Sequence, residues 1–322
     1  MPPTLDRRSV LGLAAGAAAA PALAEPADPT EVVRLWPDRP PGAPATLPTE
    51  KITDRIKTTG WQDRFVTGVA TPLMTVFRPE RANGAAMLVI PGGGYIRVVI
   101  DKEGFEAARA LAAAGVTAFV LCYRLPEDGW TPKVDAPLQD AQRALRLIRA
   151  GADRYGIDPG RVGVMGFSAG GHLAASLCTR PEALIYPALD AADRLPARPD
   201  RAALCYPVLS LAPPLWHRGS ADALLGPDAP AALRNAYSPQ LHVGAAAPPT
   251  FLAHAADDAS VPVENSLAYL AALRAARVPA ELHVFQEGGH GFGLRGARGK
   301  PAAAWMDLFL AWADRAGFFR PR

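Results

Sequence analysis

The chain has 322 residues, 49% of them apolar and 20% charged, which allows a sizeable buried core and excludes a disordered polymer. Its net charge is only +3 and no Lys/Arg cluster stands out, so composition gives no electrostatic case for a nucleic-acid partner. The 33 prolines and 29 glycines imply many turns and loops.

At the N-terminus, Arg7-Arg8 precede a mild, Ala-rich run from Val10 to Ala20. Pro21 and the A-x-A sequence Ala22-Leu23-Ala24 follow. The run is too short and too Ala-rich to span a bilayer and has the layout of a cleaved export signal. Paired arginines favour the twin-arginine (Tat) route, with the general secretory route as the alternative. Residues 1–24 are therefore expected to be a signal peptide. The mature chain would begin near Glu25 and be periplasmic or secreted, without a membrane partner. Residues 25–50, with Pro37, Pro40, Pro41, Pro44 and Pro48, read as an extended arm, and residues 51–322 as a single domain.

Beyond the arm, short apolar runs alternate with helical patterns. Strands are expected at 86–90, 116–121, 162–165, 204–208, 250–254 and 282–285. Helices are expected at 103–114, 136–150, 169–179, 263–276 and 302–316. In the second of these helices Leu138, Ala141, Leu145 and Ile148 recur at helical spacing, and Gly151 ends it. Asp140 and Arg143 fall on its polar face and read as surface or packing pairs. Apolar strands alternating with amphipathic helices predict an α/β fold, a mostly parallel central sheet with helices on both faces. The connections 181–201 and 209–248 follow strands expected to carry the chemistry, so they are expected to wall a substrate site. The three cysteines, Cys122, Cys178 and Cys205, cannot all pair and read as buried free thiols.

Four motifs carry chemistry. Pro91-Gly92-Gly93-Gly94-Tyr95 follows a buried strand, and three consecutive glycines let backbone N–H groups approach a substrate closely. Gly166-Phe167-Ser168-Ala169-Gly170 fits G-x-S-x-G between a strand and a helix. A turn that sharp lifts the Ser168 hydroxyl clear of the sheet as a nucleophile and aims the helix N-terminus at the reacting oxygen. Asp257-Asp258 sit in a loop between a strand and a helix, and either carboxylate could orient an imidazole. His290, in Gly288-Gly289-His290-Gly291-Phe292, lies just after the last strand, where a loop can swing it over the serine as general base. His172 lies on the helix behind the serine and reads as structural. None of the six histidines shows a metal-ligand spacing such as H-E-x-x-H, so no metal or cofactor is expected.

These motifs, with Tyr123-Arg124-Leu125-Pro126 and the continuation Gly171-His172, occur in an order that resembles the acetyl esterase/lipase branch of the α/β-hydrolase fold. The resemblance spans about residues 50–320 and lies near the bacterial feruloyl and acetylxylan esterases. It implies a Ser-His-Asp esterase acting on short acyl groups, often acetyl groups on plant-wall sugars. The partner would be a small-molecule or polysaccharide ester. The acid of this fold usually stands four residues before the Pro of a V-P pair, which selects Asp258 and leaves Asp257 to shape the turn. The oxyanion hole of this fold takes the N–H after the nucleophile, here Ala169, and one from the glycine loop, Gly93 or Gly94. The chain departs from many relatives at Pro91, where they carry a His that holds the oxyanion loop. Tyr95 and Trp130 are candidates to line the acyl or sugar pocket, with core packing equally open. Trp216 and His217 are candidates for substrate contact, and Arg124 for anchoring loops. Two other readings keep the scaffold but change the function: a serine peptidase, and a non-catalytic carbohydrate-binding protein.

Overall fold

The computed structural model describes residues 27–320, so the expected signal peptide, residues 1–24, lies outside the described residues. In chain order the elements begin with β1 (Val32–Arg34), β2 (Lys51–Asp54), α1 (Ile56–Thr59), β3 (Arg64–Thr67), β4 (Leu73–Phe77), β5 (Ala86–Ile90), α2 (Glu106–Ala113) and β6 (Thr117–Cys122). They continue with α3 (Ala136–Ala150), α4 (Ala152–Tyr155), β7 (Val162–Phe167), α5 (Ser168–Thr179), β8 (Ala202–Cys205), α6 (Arg218–Leu225) and α7 (Ala231–Ala236). The last are β9 (Thr250–Ala255), α8 (Glu264–Ala275), β10 (Ala280–Phe285) and α9 (Trp305–Arg315).

Eight strands form one sheet in the order β1-β4-β6-β5-β7-β8-β9-β10. From β6 onward every pairing is parallel, while β1 and β4 join the near edge antiparallel. The central parallel strands β5, β7, β8 and β9 are buried on both faces, and this explains their mostly apolar sequences, whereas the edge strand β10, Ala-Glu-Leu-His-Val-Phe, is partly exposed. All five residues of β5, Ala86-Met87-Leu88-Val89-Ile90, are 0% exposed. Each of its large side chains contributes about 1.5–3 kcal/mol by leaving water.

Residues 25–50 do not simply lie on the body. Val32–Arg34 pair with β4 and extend the sheet by one strand, and Leu35 and Trp36 enter the core. The expected helix at 103–114 opens as a π-helical turn, Asp101–Phe105, before α2. The expected strand at 204–208 is observed earlier, at Ala202–Cys205, because Tyr206 turns to φ 37° and breaks the extended run.

The segment 181–201 does not wall a site. Helix α3 buries Leu138, Ala141, Leu145 and Ile148, but its other faces are buried too. Gln142 Nε2 donates to the carbonyls of Arg180, Pro181 and Ala183, Arg146 Nε to Leu195, and Arg149 Nη1 to Pro196. Arg143 pairs with Asp190 and Asp193. Of the two readings of Asp140 and Arg143, surface or packing pairs, the structure shows packing: they are 0% and 2% exposed. A row of long polar side chains at helical spacing serves here to hold the loop by its carbonyls and carboxylates. Segment 209–248, in contrast, contains α6 and α7, and its residues His217 and Gly219 reach the cleft described below.

The three cysteines are unpaired, with Cys178 and Cys205 buried and Cys122 half-buried. Burial pushes their thiols well above the ordinary range. Among the described residues, no helix is long and apolar enough to cross a membrane.

Candidate active site

Ser168 stands at the carboxyl end of β7, as the first residue of α5, with φ 53°. A β-region residue before it and a helix after it force this left-handed turn, and the strain is confined to one residue. The flanking glycines are required by contact. A Cβ on Gly166 would meet Gly170 O at 2.5 Å, and one on Gly170 would meet the carbonyls of Ile90 and Pro91. The start of α5 therefore packs backbone to backbone against the end of β5. A Cβ on Gly92 would lie 2.9 Å from Ser168 Cβ, so the glycine loop sits directly beside the serine.

His290 lies on the turn after β10. Its Nε2 is 2.8 Å from Ser168 Oγ, and its Nδ1 is 2.8 Å from Asp258 Oδ2. A carboxylate only accepts, so Nδ1 carries the proton and Nε2 is left to accept from the serine hydroxyl. Asp258 is 8% exposed. Its other oxygen, Oδ1, accepts the N–H groups of Ser260 and Val261, both at 2.9 Å. Burial alone would raise its pKa. Hydrogen bonds from His254 and His290 and the backbone outweigh burial and hold the carboxyl well below the usual range. Asp257, the competing carboxylate, is elsewhere engaged. Its Oδ1 accepts Gly288 N–H at 2.9 Å and Gly289 N–H at 2.7 Å, which shapes the loop that presents His290.

Three positioning groups are not legible in the motifs. His254, 0% exposed on β9, lies with Nε2 3.2 Å from Asp258 Oδ2 and 3.0 Å from Val261 O. Its Nδ1 faces Ser266 Oγ at 2.8 Å. Glu103, on the π-helical turn and 4% exposed, accepts Gly92 N–H at 2.9 Å and Tyr206 O–H at 3.1 Å. Tyr206 in turn accepts Gly293 N–H at 3.2 Å and lays its ring against His290, with centroids 5.3 Å apart. Glu103 and Tyr206 thus tie the glycine loop to the histidine loop. With the donation of Tyr123 O–H to Pro91 O at 3.0 Å, they anchor the glycine loop.

Gly93 has φ 129° and Gly94 φ 68°, conformations that only glycine adopts easily. Among the described residues neither N–H has a protein acceptor, whereas Gly92 N–H is spent on Glu103. Gly93 and Gly94 line a cleft of about 330 Å³ together with Ser168, His290 and His217. Ala169, buried behind the serine, lies in the opening turn of α5, where a backbone N–H has no partner within the helix. Burial and the neighbouring His290 hold the pKa of His217 below its ordinary value.

The aromatic candidates are not at the cleft. Tyr95 is 1% exposed and packs into the core with its hydroxyl 2.6 Å from His172 Nδ1. Trp130 is 3% exposed and stacks on the Arg124 guanidinium at 5.0 Å. Trp216 covers the Arg234 guanidinium at 4.6 Å, and only its neighbour His217 lines the cleft. Each ring has a buried cation or a polar partner, which a sequence cannot reveal.

His172 is structural, as expected. Its Nε2 lies 2.7 Å from Tyr237 O, so Nε2 is the protonated nitrogen and Tyr95 O–H donates to Nδ1. Burial lowers its pKa from 6.5 to about 4. The unfolded chain takes up a proton near pH 6.5 and the folded chain does not. Stability from this group is therefore complete above pH 6.5 and is lost as pH falls toward 4. The expected slope is up to about 1.4 kcal/mol per pH unit. Urea midpoints measured at pH 7 and pH 5 should show that slope in the wild type and lose part of it in His172→Gln.

A hydroxyl, an imidazole and a carboxylate joined at the carboxyl ends of a parallel sheet, beside a loop of free N–H groups, define the site of a nucleophilic hydrolase. A family model described as the alpha/beta hydrolase fold matches residues 87–294, and the chain belongs to that family. It is 34% identical over 225 residues to an acetylxylan esterase of Xylanibacter ruminicola, covering 69% of this chain and 44% of that protein. It is also 34% identical over 250 residues to endo-1,4-beta-xylanase B of Butyrivibrio fibrisolvens, covering 76% of this chain and 39% of the relative. The chain thus spans less than half the length of these two relatives. Among solved structures, an acetyl ester-xyloside bifunctional hydrolase from Caldicellulosiruptor lactoaceticus superposes with a TM-score of 0.71 at 36% identity, covering 90% of this chain and 98% of that one.

Proposed function

We propose that this protein is a serine esterase that hydrolyses short-chain acyl esters, chiefly acetyl esters on plant-wall sugars or polysaccharide. The observation that carries the reading is the relay of two 2.8 Å contacts, Ser168 Oγ to His290 Nε2 and His290 Nδ1 to Asp258 Oδ2. His290 takes the serine proton as Oγ attacks the ester carbonyl, and Asp258 stabilises the imidazolium that forms. The N–H groups of Ala169 and of Gly93 or Gly94 receive the developing oxyanion. The C–O bond then breaks, His290 returns the proton to the leaving alcohol, and an acetyl-serine remains. Water deprotonated by His290 attacks the acetyl-serine and releases acetate. Similarity to an acetylxylan esterase and to an acetyl ester-xyloside hydrolase supports the choice of acyl group and sugar. The twin-arginine segment at Arg7-Arg8 supports a location in the periplasm or outside the cell.

The test is labelling with a fluorophosphonate followed by peptide mass mapping, alongside acetate release from p-nitrophenyl acetate and acetylated xylan. A single adduct on Ser168 with acetate release is expected. An adduct on another serine, no adduct, or faster cleavage of aminoacyl p-nitroanilides would overturn the reading.

A further inference from the structure

Two cations in the cleft beside Ser168 are not used by the relay. Arg97 and Lys102 line it, with Arg55 at its edge. They flank the two reactive loops. Arg97 Cγ lies 2.9 Å from where a Cβ on Gly93 would stand, and Lys102 Nζ lies 3.1 Å from the same point on Gly291, next to His290. Arg55 is neutralised by Asp63 at 2.6 Å. Among the described residues Arg97 and Lys102 have no such partner, and the buried Arg97 Nε has no hydrogen-bond acceptor. The Arg97 guanidinium is held over the Phe65 ring at 5.3 Å, so it is fixed without being discharged. One carboxylate lines the cleft, Glu103; its oxygens accept from Gly92 and Tyr206, and its Oε1 lies 3.4 Å from the same point on Gly291 as Lys102 Nζ, so one negative charge stands against two positive ones.

We propose that Arg97 and Lys102 form an anion subsite that selects esters carrying a carboxylate close to the scissile bond. The inference rests on the esterase reading above and adds to it the charge of the substrate. A neutral acetyl ester leaves the two cations of the cleft balanced only by the single carboxylate of Glu103. An ester bearing a carboxylate supplies the missing counter-charge, and a guanidinium presents the planar fork that a carboxylate fits. The carboxylate can lie on the alcohol, as in an acidic sugar, or on the acyl group, as in a half-ester of a diacid.

The experiment compares charged and neutral isosteres. On the alcohol side, kcat/KM for 4-acetoxybenzoate is divided by that for its methyl ester. On the acyl side, kcat/KM for mono-p-nitrophenyl succinate is divided by that for p-nitrophenyl butyrate. In Arg97→Gln and in Lys102→Met, at least one ratio should fall about tenfold from its wild-type value, as for loss of one hydrogen bond to a charged group. Arg97→Lys should keep most of it. Added salt should lower the wild-type ratio, since the cations are half exposed to solvent. The side whose ratio falls identifies where the carboxylate sits. Ratios that stay at wild-type values in the Arg97→Gln/Lys102→Met double variant would overturn the subsite. If the wild type hydrolyses none of the four esters, the esterase reading fails separately. Calorimetric binding of 4-hydroxybenzoate to wild type and double variant then decides the subsite alone, equal affinity refuting it.

Discussion

Asp258→Asn should lower kcat for p-nitrophenyl acetate by about 10⁴ while the protein still folds, and Ser168→Ala should lower it by about 10⁶. The serine variant removes the atom that forms the acyl bond. The asparagine variant acts on a tautomer. In the wild type, Asp258 Oδ2 takes the proton on His290 Nδ1, which leaves Nε2 bare toward Ser168 Oγ. The amide that replaces the carboxylate can keep its oxygen on Ser260 N–H and Val261 N–H, where Oδ1 now accepts. Its NH2 then faces His290, Nδ1 must accept, and the ring proton moves to Nε2, where it blocks proton transfer from the serine. The same NH2 meets the Nε2–H of His254, at 3.2 Å from Oδ2 in the wild type. A modest stability loss should accompany the kinetic one, but His254 retains the carbonyl of Val261 at 3.0 Å. Single-turnover kinetics and circular dichroism on both variants check the expectation. Turnover by Asp258→Asn within tenfold of wild type would mean that another acid orients the histidine.

The parts of this molecule that could be read from sequence are those whose cause is local. The fully buried strand Ala86–Ile90 announces itself as an apolar run, and helix Ala136–Ala150 as a spacing ended by Gly151. Ser168 could be placed because the turn that exposes it demands glycine at both ends. The edge strand β1 was missed because it is three residues long and partly exposed, and the separate two-stranded sheet of β2 and β3 because β2, Lys-Ile-Thr-Asp, has no buried face of its own and gains order only by pairing with β3. Helices α6 and α7 lie in Ala-, Gly- and Pro-rich sequence of low helical signal. Glu103, Tyr206 and His254 were missed for a different reason. Glu103 and Tyr206 are 103 residues apart, and no pattern along the chain marks a carboxylate destined to accept from a distant hydroxyl. The choice between pocket lining and core packing, left open for Tyr95 and Trp130, could not be made from sequence for the same reason. Tyr95, Trp130 and Trp216 look like pocket residues by type, but their partners His172, Arg124 and Arg234 decide that they are structural.

Asp140→Ala should destabilise the fold by about 3–5 kcal/mol, the largest stability effect expected from removing one side chain outside the relay. Arg124 and Asp140 are each 0% exposed and pair at 2.9 Å. Arg124 has no idle donor: Nη1 reaches Pro41 O at 2.7 Å, Nη2 reaches Ala136 O at 3.2 Å and Gln139 Oε1 at 2.9 Å, and Nε faces Asp140. Asp140 also accepts Arg124 N–H and Trp36 Nε1–H, both at 2.8 Å. Its removal leaves a guanidinium buried between the Trp130 and Trp36 rings, at 5.0 and 5.4 Å, with no compensating charge. Arg124→Met combined with Asp140→Leu should cost less than the sum of the single changes, because the penalty of each is the charge it strands. Because Trp36 and Pro41 belong to the arm, the same loss should free that segment. Limited proteolysis of Asp140→Ala should cut between residues 37 and 48 at protease levels that leave the wild type intact, while Ser168 still reacts with a fluorophosphonate. Urea midpoints unchanged from wild type would show that the pair contributes nothing to folding, and an uncut arm would show that its attachment lies in β1 alone.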